Sequence, residues 1–210
     1  MKAGLKNKLM LCAAVALAAI YMLLPVKAEA ASRASKAKKA YKKMMSAQTL
    51  NWGDRHYPTK DMKFFCKDMN GDKVPELVVC YDAAFGYEGA ERVYTFYKNK
   101  VVRVFISDNG QAVTKYYSKR KIFVEEGGRM GLKLKRYCKL SGKKLVVIAQ
   151  EFIPDSYAVS YFNAKPIYQI NSKTVSKTSY QKFVKSRIGN TKAGKIKLVS
   201  NTEGNRKKYL

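Results

Sequence analysis

Val93-Tyr94-Thr95-Phe96-Tyr97-Lys98-Asn99-Lys100-Val101-Val102 reads as two short strands folded about a polar turn. Aromatic and β-branched residues fill both arms, and Lys98-Asn99-Lys100 supplies the turn chemistry between them. The same period of two runs from residue 62 to about 170. It predicts strands over 62–67, 76–82, 91–98, 100–106, 112–118, 121–126, 130–140, 143–152, 157–162 and 166–170. Further turns are expected at Asp108-Asn109-Gly110, Glu126-Gly127-Gly128 and Ser141-Gly142-Lys143. Spacings this short suit an antiparallel meander rather than parallel strands joined by crossover helices. Leu145 to Ala149 is apolar on both faces, which places that strand inside a sheet.

Helical patterning flanks the strands. Ala37, Ala40, Tyr41 and Met44 form an apolar stripe in an amphipathic helix over 33–50, with Lys36, Lys39 and Lys43 off the stripe. Gly53 and Pro58 break the chain into a loop over 51–58. Near the end, Thr178-Ser179-Tyr180-Gln181 fits a capping box. Tyr180, Phe183, Val184 and Ile188 continue as a helical stripe, and Gly189 is placed to stop it. A short strand is expected over 195–199, and the tail Asn205-Arg206-Lys207-Lys208 is expected to fray. The fold class predicted is α+β: an N-terminal helix, a large antiparallel β-meander as a curled sheet, barrel-like or sandwich, and a C-terminal helix.

The first thirty residues read as targeting material. Lys2, Lys6 and Lys8 precede an apolar run from Leu9 to Leu24. Pro25 ends that run, and Ala28-Glu29-Ala30 supplies an A-x-A cleavage pattern. Cys12 lies too early, and lacks the small residue before it, for a lipidated cysteine. A signal peptide over 1–30 and a single exported domain over 31–210 are predicted, located outside the cytoplasm as a secreted or cell-surface protein. Retention of the apolar run would instead give a membrane-tethered accessory protein.

The 210-residue chain carries 42 Lys and Arg against 15 Asp and Glu, a formal net charge of +27. Without residues 1–30 it holds 38 basic and 14 acidic residues, a net of +24. The charge is polarised: residues 51–91 contain eight acids and five bases, and the rest is strongly basic. Such a surface attracts polyanions. Tyr116-Tyr117-Ser118-Lys119-Arg120-Lys121 and Lys133-Leu134-Lys135-Arg136-Tyr137 interleave bases with aromatics, a pattern also seen on nucleic-acid binders. An exported chain meets wall polymer, membrane or acidic protein first, so no nucleic acid is expected. Membrane contact is expected only with the apolar segment retained.

Catalytic signatures are scarce. The chain has one histidine and lacks a phosphate-binding loop, a GxSxG elbow and an HExxH motif. His56, in Trp52-Gly53-Asp54-Arg55-His56-Tyr57, is the one place where His, Asp and aromatics crowd together. A general base or a sugar-stacking aromatic could be read there, although no partner nucleophile is identifiable. Carboxylates within 51–91 would serve a wall-associated hydrolase. Cys66, Cys80 and Cys138 are an odd set; Cys66 and Cys80 could pair only across adjacent strands in register, and free thiols are the default.

Asp68-Met69-Asn70-Gly71-Asp72-Lys73-Val74-Pro75-Glu76-Leu77 is the motif with chemistry in it. Side-chain oxygens of Asp68, Asn70, Asp72 and Glu76, with the Val74 carbonyl, stand at relative positions 1, 3, 5, 9 and 7. A tight loop of that kind can wrap a structural calcium ion. The same side chains can equally bond their own backbone amides and need no metal. The loop is not an EF-hand, because Lys73 stands at position 6 and Val79 at position 12. It resembles the Asp-x-Asn-Gly-Asp-Gly-x-Pro-Glu-Leu segment of exported proteins and lipoproteins of clostridial, Gram-positive bacteria. It is also similar to the calcium loops of FG-GAP and VCBS-type repeats. Val93 to Val102 and the late segment Tyr168 to Ser176 match the same clostridial pattern. The resemblance implies export and a fold, and no activity. The function expected is a non-catalytic extracellular binding module with a basic face for anionic polymers or acidic partners.

Overall fold

A computed structural model describes residues 29–81, 90–107, 112–129 and 131–210. Helix α1 covers 29–45 and buries Ala37, Tyr41 and Met45, so its apolar stripe packs as the spacing predicts. The helix stops earlier than expected, because residues 49–58 form a hairpin and not a loop. Strands β1 (Thr49–Trp52) and β2 (Arg55–Pro58) pair about Gly53, whose φ of 69° suits glycine. Cleavage after Ala30 would leave every buried residue of α1 in place; the rest of the export segment lies outside the described residues.

Two open antiparallel sheets follow. The first contains β3 (Met62–Lys67), β4 (Glu76–Tyr81), β5 (Ala90–Tyr97) and β6 (Lys100–Ser107), joined in order as a meander. The turn between β5 and β6 has Lys98 and Asn99 both at positive φ, the primed hairpin geometry that matches strand twist. The second sheet runs through β7 (Ala112–Tyr117), β8 (Ile122–Arg129), β9 (Leu132–Ser141), β10 (Lys144–Pro154), β11 (Ile167–Ile170) and β12 (Lys173–Thr174). β10 lies inside this sheet between β9 and β11, as its two-sided apolar pattern predicts.

The chain is thus α+β with antiparallel sheets. The barrel-like closure is not observed, since neither sheet returns to its own first strand. One apolar cluster draws on both sheets instead: Val78 and Val93 from the first, Val113, Tyr116, Phe123 and Cys138 from the second. A second cluster packs α1 on the first sheet, and a third packs a C-terminal helix on the second. The C-terminal segment ties the sheets together. Strand β13 (Gly194–Lys195) pairs with β7, and β14 (Val199–Ser200) pairs with β3, splitting the single strand expected over 195–199.

Other local departures have clear physical causes. Residues 157–162 are helical, not a strand: α2 spans Ser156–Phe162. Asp155, just after Pro154, accepts a hydrogen bond from the Ala158 amide at 3.0 Å, and Asn163 at φ 49° ends the helix. Gly127 and Gly128 lie within β8, and Gly128 is needed where the Leu132 carbonyl would sit 2.5 Å from an added Cβ. The turn expected at Asp108-Asn109-Gly110 lies outside the described residues. Helix α3 (Lys177–Ile188) ends at Gly189 as expected but is capped by Ser176, whose hydroxyl accepts from Ser179 N. The tail does not fray. It forms α4 (Glu203–Tyr209), capped by Thr202, with Arg206 bonded to Asn201, and Tyr209 and Leu210 rest on the first core cluster.

Candidate functional site

The acidic loop connects β3 to β4 and is sewn together by its own amides. Asp68 accepts from Gly71 N at 2.7 Å and Lys73 N at 2.9 Å; Asn70 Oδ1 accepts from Asp72 N, and Asp72 Oδ1 from Val74 N, each at 2.8 Å. Glu76 opens β4 pointing inward and is fully buried. It accepts from Met69 N at 2.9 Å, Asn70 Nδ2 at 2.7 Å and Thr95 Oγ1 at 3.3 Å. Burial pushes its carboxyl up to about 8, against the pull of the Met69 amide.

Met69 enters the core between the sheets while Val74 enters the core beneath α1, so the loop pins two apolar clusters with one turn. Gly71 abuts the Ser118 carbonyl in the turn between β7 and β8, where an added Cβ would lie 2.5 Å away. Lys73 sits at φ 69°, the left-handed conformation that the usual glycine would adopt without strain. As for a cation, the oxygens of Asp68, Asn70, Asp72 and Glu76 bond the loop itself. Among the described residues no three His, Cys, Asp or Glu side chains are grouped so as to hold a metal ion. Those bonds make the loop a self-supporting turn in this conformation.

A second feature was not legible as a site in the sequence. A groove of about 450 Å³ opens where β6 passes β10, and its rim carries Arg103, Arg136, Lys143 and Lys144. Glu125 and Cys138 lie at its floor, with Val104, Leu145 and Val147 forming apolar walls. Glu125 is buried and ion-paired to Arg136 at 3.4 Å. Burial raises both the Glu125 carboxyl and the Cys138 thiol, the thiol to about 12, so the sulfur is a neutral, weakly bonded partner 3.9 Å from Glu125. The one floor carboxylate is matched by Arg136. Arg103, Lys143 and Lys144 remain as exposed cations along the rim.

The basic stretches read from the sequence divide differently. Lys115 and Lys135 converge on Glu126 at 3.1 and 3.3 Å, so the two cations share one carboxylate. Lys133 alternates with buried Leu134, as on any half-exposed strand.

The catalytic readings find little geometry. His56 pairs across the β1–β2 hairpin with Asn51, its Nδ1 2.6 Å from Asn51 Oδ1. Trp52 cannot offer a face to a sugar: it is buried, donates to Tyr94 Oη at 2.9 Å and lies under the Arg92 guanidinium. Among the carboxylates of 51–91, Glu76 and Glu91 are buried and bonded to backbone amides, and Asp68 and Asp72 serve their own loop. Asp82 and Glu88 lie outside the described residues. Cys66 and Cys80 sit on adjacent strands but stand opposite Leu77 and Lys63, out of register with each other. In comparisons with known proteins, no family model matches the chain, and neither a curated protein nor a solved structure matches it.

Proposed function

We propose that this is an exported, non-catalytic cell-surface binding module whose inter-sheet groove takes an anionic polymer. The observation that carries the reading is the rim of Arg103, Lys143 and Lys144 over a concave, partly apolar floor. The net charge of +27 adds a long-range attraction for the same partner. The export pattern over 1–30 supports a partner met outside the cytoplasm, such as a phosphate-bearing wall polymer. An acidic protein would meet the same cations, but an extended polymer follows a groove more readily than a folded surface does.

The triple variant Arg103→Ala, Lys143→Ala, Lys144→Ala tests it. Each exposed cation near an anionic surface contributes about 1 kcal/mol, so the variant should bind poly(glycerol phosphate) roughly 100-fold more weakly at low salt. Lys36→Ala, Lys39→Ala, Lys43→Ala removes the same charge from α1 and should cost far less. Equal losses in both variants would reduce the groove to part of a diffuse basic surface. Arg136 is left alone because it neutralises buried Glu125.

The loop over 68–76 is read as a structural turn. A structural calcium ion held by Asp68, Asn70, Asp72, Val74 and Glu76 is the second reading, favoured by the spacing of those oxygens. Thermal unfolding in calcium and then in EDTA separates them. Coincident midpoints are expected for the turn; a rise in calcium that disappears in Asp72→Ala would install the ion by linkage.

A further inference from the structure

We propose that the α2 end of the second sheet is a membrane-contact surface that rests in the headgroup boundary of an anionic bilayer. This goes beyond the polymer groove and does not depend on it. Helix α2 leaves Tyr157, Val159, Tyr161 and Phe162 exposed at 55, 49, 72 and 70%. Ile167, which opens β11, and Leu132, which opens β9, are 45 and 40% exposed at the same end of the sheet. Leu132 pairs with Pro154 just before α2, and Ile167 pairs with Phe152, so these residues form one patch and are not scattered singly. Tyr157 stacks on Tyr161 at 4.5 Å and meets Phe162 at 6.1 Å, giving the patch a fixed aromatic face.

The surrounding charge selects the occupant. From residue 156 to residue 202 the chain has nine Lys and Arg and no Asp or Glu. Asp155, the nearest acid in sequence, is engaged as the cap of α2. Lys165 follows the patch directly, and the basic helix α3, with Lys177, Lys182, Lys185 and Arg187 exposed, packs against β11. Tyrosine and phenylalanine beside exposed lysines such as Lys165 are the pairing suited to a bilayer interface, where rings sit at headgroup depth and cations meet lipid phosphate. A sugar platform would need polar groups beside the rings, whereas the neighbours here are Val159, Ile167 and Leu132. A second copy would bring Lys165 and its basic neighbours against their own like charge. Among the described residues no helix is long and apolar enough to cross a membrane.

The test uses the full chain with Phe162→Trp as a local reporter; the side chain is largely exposed, so the fold does not depend on it. The readout is local because the apolar run over 9–24 could bring the chain to a vesicle without involving α2. Emission is taken as the difference from the parent, which carries only buried Trp52. On phosphatidylglycerol vesicles the added indole should shift to shorter wavelength and lose about half its intensity to acyl chains brominated near the headgroup. Neither change should occur on phosphatidylcholine. An unshifted, unquenched indole on chains that float with the vesicles overturns the proposal. A blue shift without lipid that grows with protein concentration also overturns it, assigning the patch to a second copy. A shift equal on both lipids overturns the anionic choice. Polymer binding by the groove is measured without vesicles, so failure of one reading is distinct from failure of the other.

Discussion

Glu76→Ala is expected to lower the midpoint of thermal unfolding by roughly 10 °C, on the order of 3 kcal/mol for a chain of this size. The side chain is fully buried, and three donors from two parts of the chain end on it: Met69 N and Asn70 Nδ2 of the loop and Thr95 Oγ1 of β5. Truncation leaves the Met69 amide and the Asn70 side chain buried without their acceptor and opens a cavity beside them. The loop that Glu76 closes also pins Met69 and Val74 into separate cores, so its loosening should be felt in both. Asp68→Ala removes bonds of the same kind from an exposed part of the loop and should cost about 1 kcal/mol. Differential scanning calorimetry of the two variants checks the ranking. A Glu76→Ala protein as stable as the parent would sink the view that this turn holds the fold together.

The second large effect is a dependence of stability on pH centred on Glu91. This side chain leaves β5 between the sheets and accepts the Val113 amide of β7 at 2.8 Å. Burial pushes its carboxyl up to about 7 against the pull of that amide, with the nearby charge of Glu125 adding to the rise. Its folded pKa lies above the unfolded value, so the folded chain binds the extra proton between about 4.5 and 7. Stability is therefore lost as pH rises through that window. Glu91→Gln keeps an acceptor for Val113 N and has no proton to lose. The variant should melt close to the parent near pH 5 and above it near pH 8, by roughly 5–10 °C. Taking the difference cancels the general repulsion among the chain's many cations. Parallel pH profiles for parent and variant would contradict the buried, proton-holding state of Glu91.

Local periodicity read most of the strands and both principal helices correctly. Val93 to Val102 became the β5–β6 hairpin because alternation and a two-residue turn are properties of a short stretch. The misreading of 157–162 has a recoverable cause. Its alternation resembles a strand, but Asp155 directly after Pro154 and Asn163 beyond it are a helix cap and a helix stop. The hairpin over 49–58 was hidden because Gly53 and Pro58 mark a loop and a strand end equally well.

The groove was beyond the reach of such reading. Arg103 and the pair Lys143, Lys144 are forty residues apart and meet only because β6 of one sheet passes β10 of the other. How two sheets stack depends on their faces as wholes, not on the period of either strand. The burial of Glu91 was closer to legible: β5 has partners on both edges and cores on both faces, so even its charged residues go inside. The oxygen spacing of residues 68–76 was plain in the sequence. What the spacing could not show is that Asp68, Asn70, Asp72 and Glu76 each accept from an amide of the same loop.

The most direct measurement is isothermal titration of the protein with soluble poly(glycerol phosphate) across a salt series, for the parent and the Arg103→Ala, Lys143→Ala, Lys144→Ala variant. Binding through the groove predicts parent affinity that falls steeply with ionic strength, and a variant that binds far more weakly with a shallower salt slope. A parent that shows no heat of binding at low salt, or a variant with the parent's affinity and slope, would contradict the groove as the polymer site.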